Sequence, residues 1–85
     1  MATRKIAARE VSAPSICGRL GRRITELRRA KGWSQRMLAD HAQIEQAHLA
    51  RLETGRVEAG VLILEKIAVA LEVDVARLFK REKAV

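Results

Sequence analysis

The chain has 85 residues, of which 17 are Lys or Arg and 10 are Asp or Glu, so its formal net charge is +7. Apolar residues make up 48% of the chain, which excludes a disordered basic tail and favours one folded domain. Aromatic residues are scarce, with a single Phe and no Tyr, so we expect an aliphatic core of packed helices. No apolar run has the length of a membrane span or a secretory signal, and a lone Cys17 excludes an internal disulfide, so we expect a cytoplasmic protein.

The positive charge is concentrated towards the N-terminus. Residues 1–36 hold ten basic and two acidic residues, whereas residues 37–85 hold seven basic and eight acidic residues. We therefore expect a polyanion to meet the N-terminal side of the molecule, although charge alone leaves nucleic acid, a membrane surface and a merely solvated face open.

The first predicted helix follows a stretch without a clean period. We interpret residues 1–14 as a basic arm, for which order and disorder both stay open. Ser15 is a candidate N-cap, but Gly18 and Gly21 weaken the first turns and favour a start nearer Leu20. The apolar face of this helix consists of Ile16, Leu20, Ile24 and Leu27.

Two short helices come next, and each has a recognisable beginning. Ser34 is a good N-cap for a helix over residues 35–42. Glu45 precedes a helix over residues 46–53, where a carboxylate suits the helix dipole although it caps less well than Asp or Ser. Gly55 is placed to end this third helix.

The remaining chain predicts two more helices after a loop over residues 56–60. The apolar face of the fourth helix consists of Val61, Leu64, Ile67, Ala68 and Leu71. Asp74 is a candidate N-cap for a short fifth helix, and residues 81–85 form a polar tail that we expect to fray. The prediction is an all-α, compact five-helix bundle, with its domain over residues 15–80.

The second and third helices, joined by a tight turn, have the layout of a helix-turn-helix. The stretch from Leu20 to Phe79 resembles the phage-repressor, or XRE, family of such domains. The matching segments are LGRRITELRRAKGWSQ (20–35), MLADHAQI (37–44), HLARLETGR (48–56) and LEKIAVALEVDVARLF (64–79). The resemblance implies a lambda-repressor-like fold and a transcriptional regulator that binds operator DNA as a homodimer, on an inverted repeat.

The same resemblance implies which residues meet the DNA. The base-reading positions are Glu45, Gln46, Ala47 and Arg51. Gln46 suits adenine, Arg51 suits guanine, and Glu45 can accept from a cytosine amino group, while Ala47 offers a methyl to thymine. The phosphate-contacting positions are Arg22, Arg23, Gln35, Arg36, His48, Thr54 and Arg56. Gln35 stands first in the second helix, whose exposed N–H groups favour an anion.

Other positions in the resemblance have structural roles. Arg28 and Glu53 are expected to form an ion pair between the first helix and the end of the third. Gln43 stands where the family usually has Gly, so the turn needs a strained left-handed residue. We expect Trp33 to be a core or lid residue.

The fourth helix carries more apolar surface than one face buries. The predicted dimer interface consists of Leu62, Ile63, Val69, Val73, Val75 and Phe79. An N-terminal arm folded over this surface is one alternative. A partner protein bound through it, as in an antitoxin or interaction module, is another.

No enzyme pattern is present, since His41, His48 and Cys17 lack neighbours that would complete a catalytic or metal-ligand set. We therefore expect no enzyme activity, cofactor or metal. A membrane-bound first helix is disfavoured because its apolar face is needed in the core. The layout also looks like restriction-modification controllers, phage Cro-like regulators and antitoxins, which the sequence does not separate.

Overall fold

A computed structural model describes residues 7–10 and 13–80 of the chain. These residues form five α-helices after a 3-10 turn at Ala8–Glu10, and they contain no strand. The helices are α1 (Ala13–Ala30), α2 (Gln35–Ala42), α3 (Gln46–Glu53), α4 (Val61–Leu71) and α5 (Val75–Leu78). The all-α prediction is confirmed, whereas most of the predicted arm (1–6 and 11–12) and the predicted tail (81–85) lie outside the described residues.

Helix α1 begins earlier than the sequence led us to expect. Its first residue is Ala13, ahead of the candidate cap Ser15. Pro14 lies in the first turn, where its fixed φ suits the helix and its missing N–H leaves no hydrogen bond unmade. The proline therefore belongs to the start of α1 rather than to the end of an arm.

The predicted start near Leu20 is wrong, because α1 continues through Gly18 and Gly21. A Cβ on Gly21 would lie 2.5 Å from the carbonyl oxygen of Glu53 and closer still to that of Leu52. Glycine at this position lets the backbones of α1 and α3 approach each other, and it does not mark a helix end.

The core is formed by all five helices, with α1 packed on α3 and α5, α2 on α3 and α4, and α4 on α5. Its buried apolar residues are Leu20, Ile24, Leu38, Ala39, Ala42, Leu49, Leu52, Leu64, Ile67, Ala68, Leu71 and Leu78. Two residues predicted to face inward do not: Val61 is 83% exposed and Ile16 is 39% exposed. Val61 is the first residue of α4, and its side chain stays exposed at that end of the helix.

The predicted cap residues stand at the helix ends, but not all of them make a capping hydrogen bond. At the start of α2, Ser34 Oγ accepts a hydrogen bond from the Met37 N–H at 3.1 Å. Glu45 and Asp74 occupy the N-cap positions of α3 and α5, yet neither side chain makes a capping hydrogen bond. Gly55 takes a left-handed φ of 73° and follows Thr54, the C-cap residue of α3.

Trp33 covers one edge of the core. Its ring stacks on the ring of His41 in α2, with centroids 4.2 Å apart and the planes nearly parallel. Lys31 Nζ lies 4.9 Å from the Trp33 ring centroid and donates to Glu72 Oε1 at 2.7 Å. These contacts hold the α1–α2 turn against α2 and against the α4–α5 turn.

Candidate DNA interface

The turn between α2 and α3 has left-handed geometry without a glycine. Gln43 has φ 56° and ψ 50° and stands directly after α2. The backbone N–H groups of Gln43 and Ile44 donate to the carbonyl oxygens of Asp40 and Ala39, at 3.2 and 3.0 Å. The turn therefore takes the conformation that a glycine would adopt freely, with a residue that adopts it under strain.

Helix α3 presents the predicted base-reading residues to solvent. Leu49 and Leu52 are buried, which fixes the inward face of the helix. The residues on the exposed side and at the N-terminal end are Glu45, Gln46, Ala47 and Arg51. Ala47 and Arg51 are one helical turn apart and share an outward face. This helix and its N-cap residue thus expose four different chemical groups: a methyl, a guanidinium, a carboxamide and a carboxylate.

Arg28 and Glu53 are in bidentate contact. Arg28 Nε donates to Glu53 Oε2 at 2.7 Å, and Arg28 Nη2 donates to Glu53 Oε1 at 2.9 Å. Gln35 Nε2 donates to the same Oε1 at 3.0 Å, and Arg28 Nη1 donates to the carbonyl oxygen of Trp33 at 2.8 Å. One carboxylate therefore links α1, the start of α2 and the end of α3.

The hydrogen bonds keep this carboxylate ionised. Burial alone would raise the pKa of Glu53, but the hydrogen bonds from Arg28 and Gln35 and the charge of Arg28 outweigh burial, so its pKa lies below the ordinary 4.5. The hydrogen bond to Glu53 likewise raises the pKa of Arg28. Both groups are charged at neutral pH, and the buried pair is mutually compensated.

Three of the predicted phosphate-contacting arginines lie free at the surface. Arg22 on α1, Arg36 on α2 and Arg56 after α3 are exposed. None of them forms an ion pair with another described residue. His48 is half-buried on α3. These side chains are placed around the α2–α3 unit.

Arg23 lies elsewhere. Its Nε donates to the carbonyl oxygen of Arg77 at 3.3 Å, and its Nη1 is 3.6 Å from Glu26. This side chain therefore packs towards the end of α5, because the carbonyl groups at a helix C-terminus attract a cation. The structure separates Arg23 from the other phosphate-contacting candidates.

Two further candidates use their polar side-chain atoms in hydrogen bonds to other parts of the chain. The carboxamide of Gln35 supports Glu53, as described above. The hydroxyl Oγ1 of Thr54 lies 3.3 and 3.1 Å from the carbonyl oxygens of Ala50 and Arg51, and donates to the end of α3. The side chains of both residues thus stabilise the helix ends they stand beside.

The structure adds one cation to the interface that was not selected from the sequence. A shallow groove beside the ion pair is lined by Arg22, Thr25, Glu26, Arg29 and Glu53. Arg29 is exposed and lies two helical turns after Arg22, on the same side of α1. The seven-residue spacing of the two arginines is the signal in the sequence that could have identified this shared face.

Only two of the six residues of the predicted dimer interface are exposed. Leu62 and Val69 are 63% and 70% exposed. The other predicted interface residues, Ile63, Val73, Val75 and Phe79, are half-buried and pack against the core. Leu62 and Val69, with Glu65 and Lys66 between them in the sequence, form what we call the α4 face.

Residues 7–10 and 13–80 contain neither a membrane-spanning helix nor a cluster of metal-ligating side chains. No helix there combines the length and apolar character needed to cross a membrane. The same part of the chain brings together no group of three or more His, Cys, Asp or Glu side chains able to hold a metal ion.

Residues 19–78 match the family model of the helix-turn-helix domain. The chain therefore belongs to the helix-turn-helix family, and its solved relatives place it among the XRE-like transcription regulators.

Three bacterial proteins to which the chain is similar are named as a repressor, a controller protein and a gene regulator. The competence pilus inhibition repressor of Acinetobacter baylyi is 33% identical over 60 residues, covering 71% of this chain and 54% of the relative, so the chain spans about half of that protein. The restriction-modification controller protein C.AhdI from Aeromonas hydrophila is 31% identical with a TM-score of 0.75, over 76% of this chain and 98% of the controller. The clp gene regulator ClgR from Corynebacterium glutamicum is 30% identical with a TM-score of 0.69, over 74% and 82% of the two chains.

Proposed function

We propose that this protein is a sequence-specific double-stranded-DNA-binding regulator that occupies an operator as a homodimer in the cytoplasm, at the nucleoid. By occupying a promoter it would repress or activate transcription. The observation that carries the proposal is the exposed side of α3, which follows a capped helix and a left-handed turn. Two relatives that are named as a repressor and a controller support a regulatory role.

Helix α3 is the element that enters the major groove in this proposal. An α-helix fits that groove, and a recognition helix reads base edges from its N-terminal half. Gln46 pairs with adenine and Arg51 with guanine O6 and N7, while Ala47 is small enough to touch a thymine methyl. The nearly neutral helix thus carries sequence information.

The surrounding cations supply the attraction to phosphate. Arg22, Arg29, Arg36 and Arg56 are exposed around the α2–α3 unit. The first turn of α2 adds backbone N–H groups and the positive end of the helix dipole, which favour an anion. Contacts to phosphate position the protein on the duplex without reading base sequence, so we assign this positioning role to the arginines.

The experiment that tests this function is a selection from a random-sequence duplex library at moderate salt. We expect an enriched palindrome, and an affinity that falls about tenfold or more for each doubling of salt concentration, because several phosphate contacts release counterions. A selection that enriches no motif would overturn the operator function.

Two matched substitutions separate base reading from positioning. Arg51→Ala should relax the preference at one base position and cost about 1–3 kcal/mol of binding free energy on the selected site. Arg22→Ala removes the same charge from α1 and should weaken all sequences about equally. A uniform loss from Arg51→Ala would contradict the base-reading role of that residue.

The homodimer is proposed to form through the α4 face. Two-fold contacts bring the same surface of each copy together, so Lys66 of one copy can meet Glu65 of the other while Leu62 and Val69 pack. Such a dimer would set two copies of α3 about 34 Å apart, one turn of DNA. A partner protein bound on the same face, as in an antitoxin, would instead give a chain that is monomeric by itself.

A further inference from the structure

A cleft of about 250 Å³ opens beside the α4 face. One wall consists of residues 41–43, which end α2 and begin the turn to α3, and the other consists of Glu65, Lys66 and Val69. Val69 is 70% exposed, and Gln43 is exposed with its backbone in the left-handed conformation. A molecule bound on the α4 face would therefore also touch the turn from which α3 starts.

The α4 face carries one acid and one base that are unpaired within the described part of the chain. Glu65 is exposed and Lys66 is half-buried, and no ion pair there includes either side chain. At about 100° per residue, they lie about 50° to opposite sides of the line through Leu62 and Val69. The apolar stripe thus has a negative flank and a positive flank.

A face of this kind is complementary to a second copy of itself in one relative direction of the two helices. If two α4 helices run in the same direction about a two-fold axis, the negative flank of each lies against the positive flank of the other. If they run in opposite directions, like flanks meet and repel. A second copy thus supplies both missing partners at once, whereas any other occupant would have to bring a matching base and acid of its own.

We propose that a second copy of this chain closes the cleft, with the two α4 helices side by side and running in the same direction. Each Glu65 then pairs with the Lys66 of the other copy, and the turn at Gln43 becomes part of the contact. The arrangement rests on the proposed homodimer and deepens it, because it fixes the direction of the helices and brings the α2–α3 unit into the interface. The surface that joins the two copies thereby also supports the start of α3.

Charge reversal tests the direction of the helices. Sedimentation equilibrium is measured for wild type, for Glu65→Lys and Lys66→Glu alone, for their equimolar mixture, and for the chain carrying both changes. Each single variant should raise the dimer Kd about tenfold or more, because two attractive pairs become repulsive. The mixture and the double variant should return to within about threefold of wild type, because every acid again faces a base. Circular dichroism checks that all variants remain helical.

The mixture and the double variant are internal controls, since they contain the same side chains as the single variants or as wild type. Single variants that dimerise as wild type does, or a mixture no more dimeric than either variant alone, would overturn the proposed direction. If wild type is monomeric, the proposed homodimer and this arrangement fail together. A motif enriched from the duplex library would then still support DNA binding.

Amide hydrogen exchange tests whether the second copy covers the turn. The Gln43 N–H donates to the carbonyl oxygen of Asp40 at 3.2 Å, and the Gly55 N–H donates to that of Leu52 at 3.1 Å. Gly55 is the control because it packs against α1 and not beside the cleft. On mixing the two variants, exchange should slow at least about fivefold at Gln43 and stay unchanged at Gly55. A mixture that dimerises without slowing exchange at Gln43 would remove the turn from the contact.

Discussion

Glu53 is the residue through which three helices are joined. Its side chain is 5% exposed and receives hydrogen bonds from Arg28 and Gln35. A buried pair of this kind adds little to stability compared with an apolar replacement, but removing one partner leaves an uncompensated charge. The position of α3 relative to α1 and α2 therefore depends on the ionised state of this carboxylate.

Fold stability should consequently depend on the protonation of Glu53. Its pKa is lower in the folded chain than the ordinary 4.5, so its stabilising contribution is complete above about pH 4.5. The contribution is lost as the pH falls through the lowered pKa. In urea unfolding at neutral pH, we expect Glu53→Gln to cost about 3 kcal/mol. The difference from wild type should shrink steadily below about pH 4.5, and a difference independent of pH would contradict this.

Gln43 is a second residue whose effect can be isolated. A left-handed conformation costs a residue with a Cβ about 1–2 kcal/mol, and glycine does not have this cost. Gln43→Gly should therefore raise the free energy of unfolding by about 1 kcal/mol. Gln43→Ala is the control, because alanine removes the carboxamide but keeps the Cβ. A gain from alanine equal to that from glycine would show that backbone strain is not the cause.

At the scale of elements, the sequence predicted the existence of all five helices, and for α2 and α3 it also predicted their bounds. Those two helices are bracketed by local signals such as Ser34 and Gly55. The start of α1 was mispredicted because Gly21 was read by its local helix propensity. Glycine is required at this position because the backbone of α3 packs against it, and this tertiary contact cannot be seen in the sequence.

The close approach of α1 and α3 gives a prediction with an internal control. Gly21→Ala places a methyl against the backbone carbonyl groups of Leu52 and Glu53, which cannot move aside without shifting α3. We expect it to destabilise the protein by about 1–3 kcal/mol. In the same helix, a Cβ on Gly18 meets only the end of the Arg22 side chain at 3.6 Å.

Gly18→Ala should therefore be neutral or stabilise by up to about 1 kcal/mol, from helix propensity alone. Thermal unfolding followed by circular dichroism compares the two alanine variants directly. Equal effects on the unfolding temperature would mean that the carbonyl groups of α3 do not limit position 21.

At the scale of the whole molecule, some features of the candidate interface follow from the sequence pattern, whereas others depend on tertiary contacts. The exposure of Glu45, Gln46, Ala47 and Arg51 follows from the helical period of α3 and was predictable. The contact of Arg23 with the end of α5 was not, because it joins residues 54 positions apart. The exposed part of the predicted dimer interface was not predictable either. Ile63, Val73, Val75 and Phe79 pack against the core, which leaves only the α4 face exposed.

The α4 face makes the last prediction. If two copies meet there, a charge at Val69 is placed in the contact twice, once from each protomer. Val69→Glu should therefore shift the dimer towards monomer by about a hundredfold in Kd, from roughly 1.4 kcal/mol of lost apolar contact per protomer. Val69 is 70% exposed, so the monomer itself should unfold at nearly the wild-type temperature.

Val61→Glu is the matched control, because Val61 is also an exposed valine of α4 but lies on a different side of the helix. It should leave both the oligomeric state and DNA binding near wild type. Sedimentation equilibrium at micromolar concentration measures the first, and anisotropy with the selected duplex measures the second. Because two linked copies of α3 bind one operator, Val69→Glu should weaken DNA binding in parallel with dimerisation. A Val69→Glu protein that stays dimeric would place the contact on another surface.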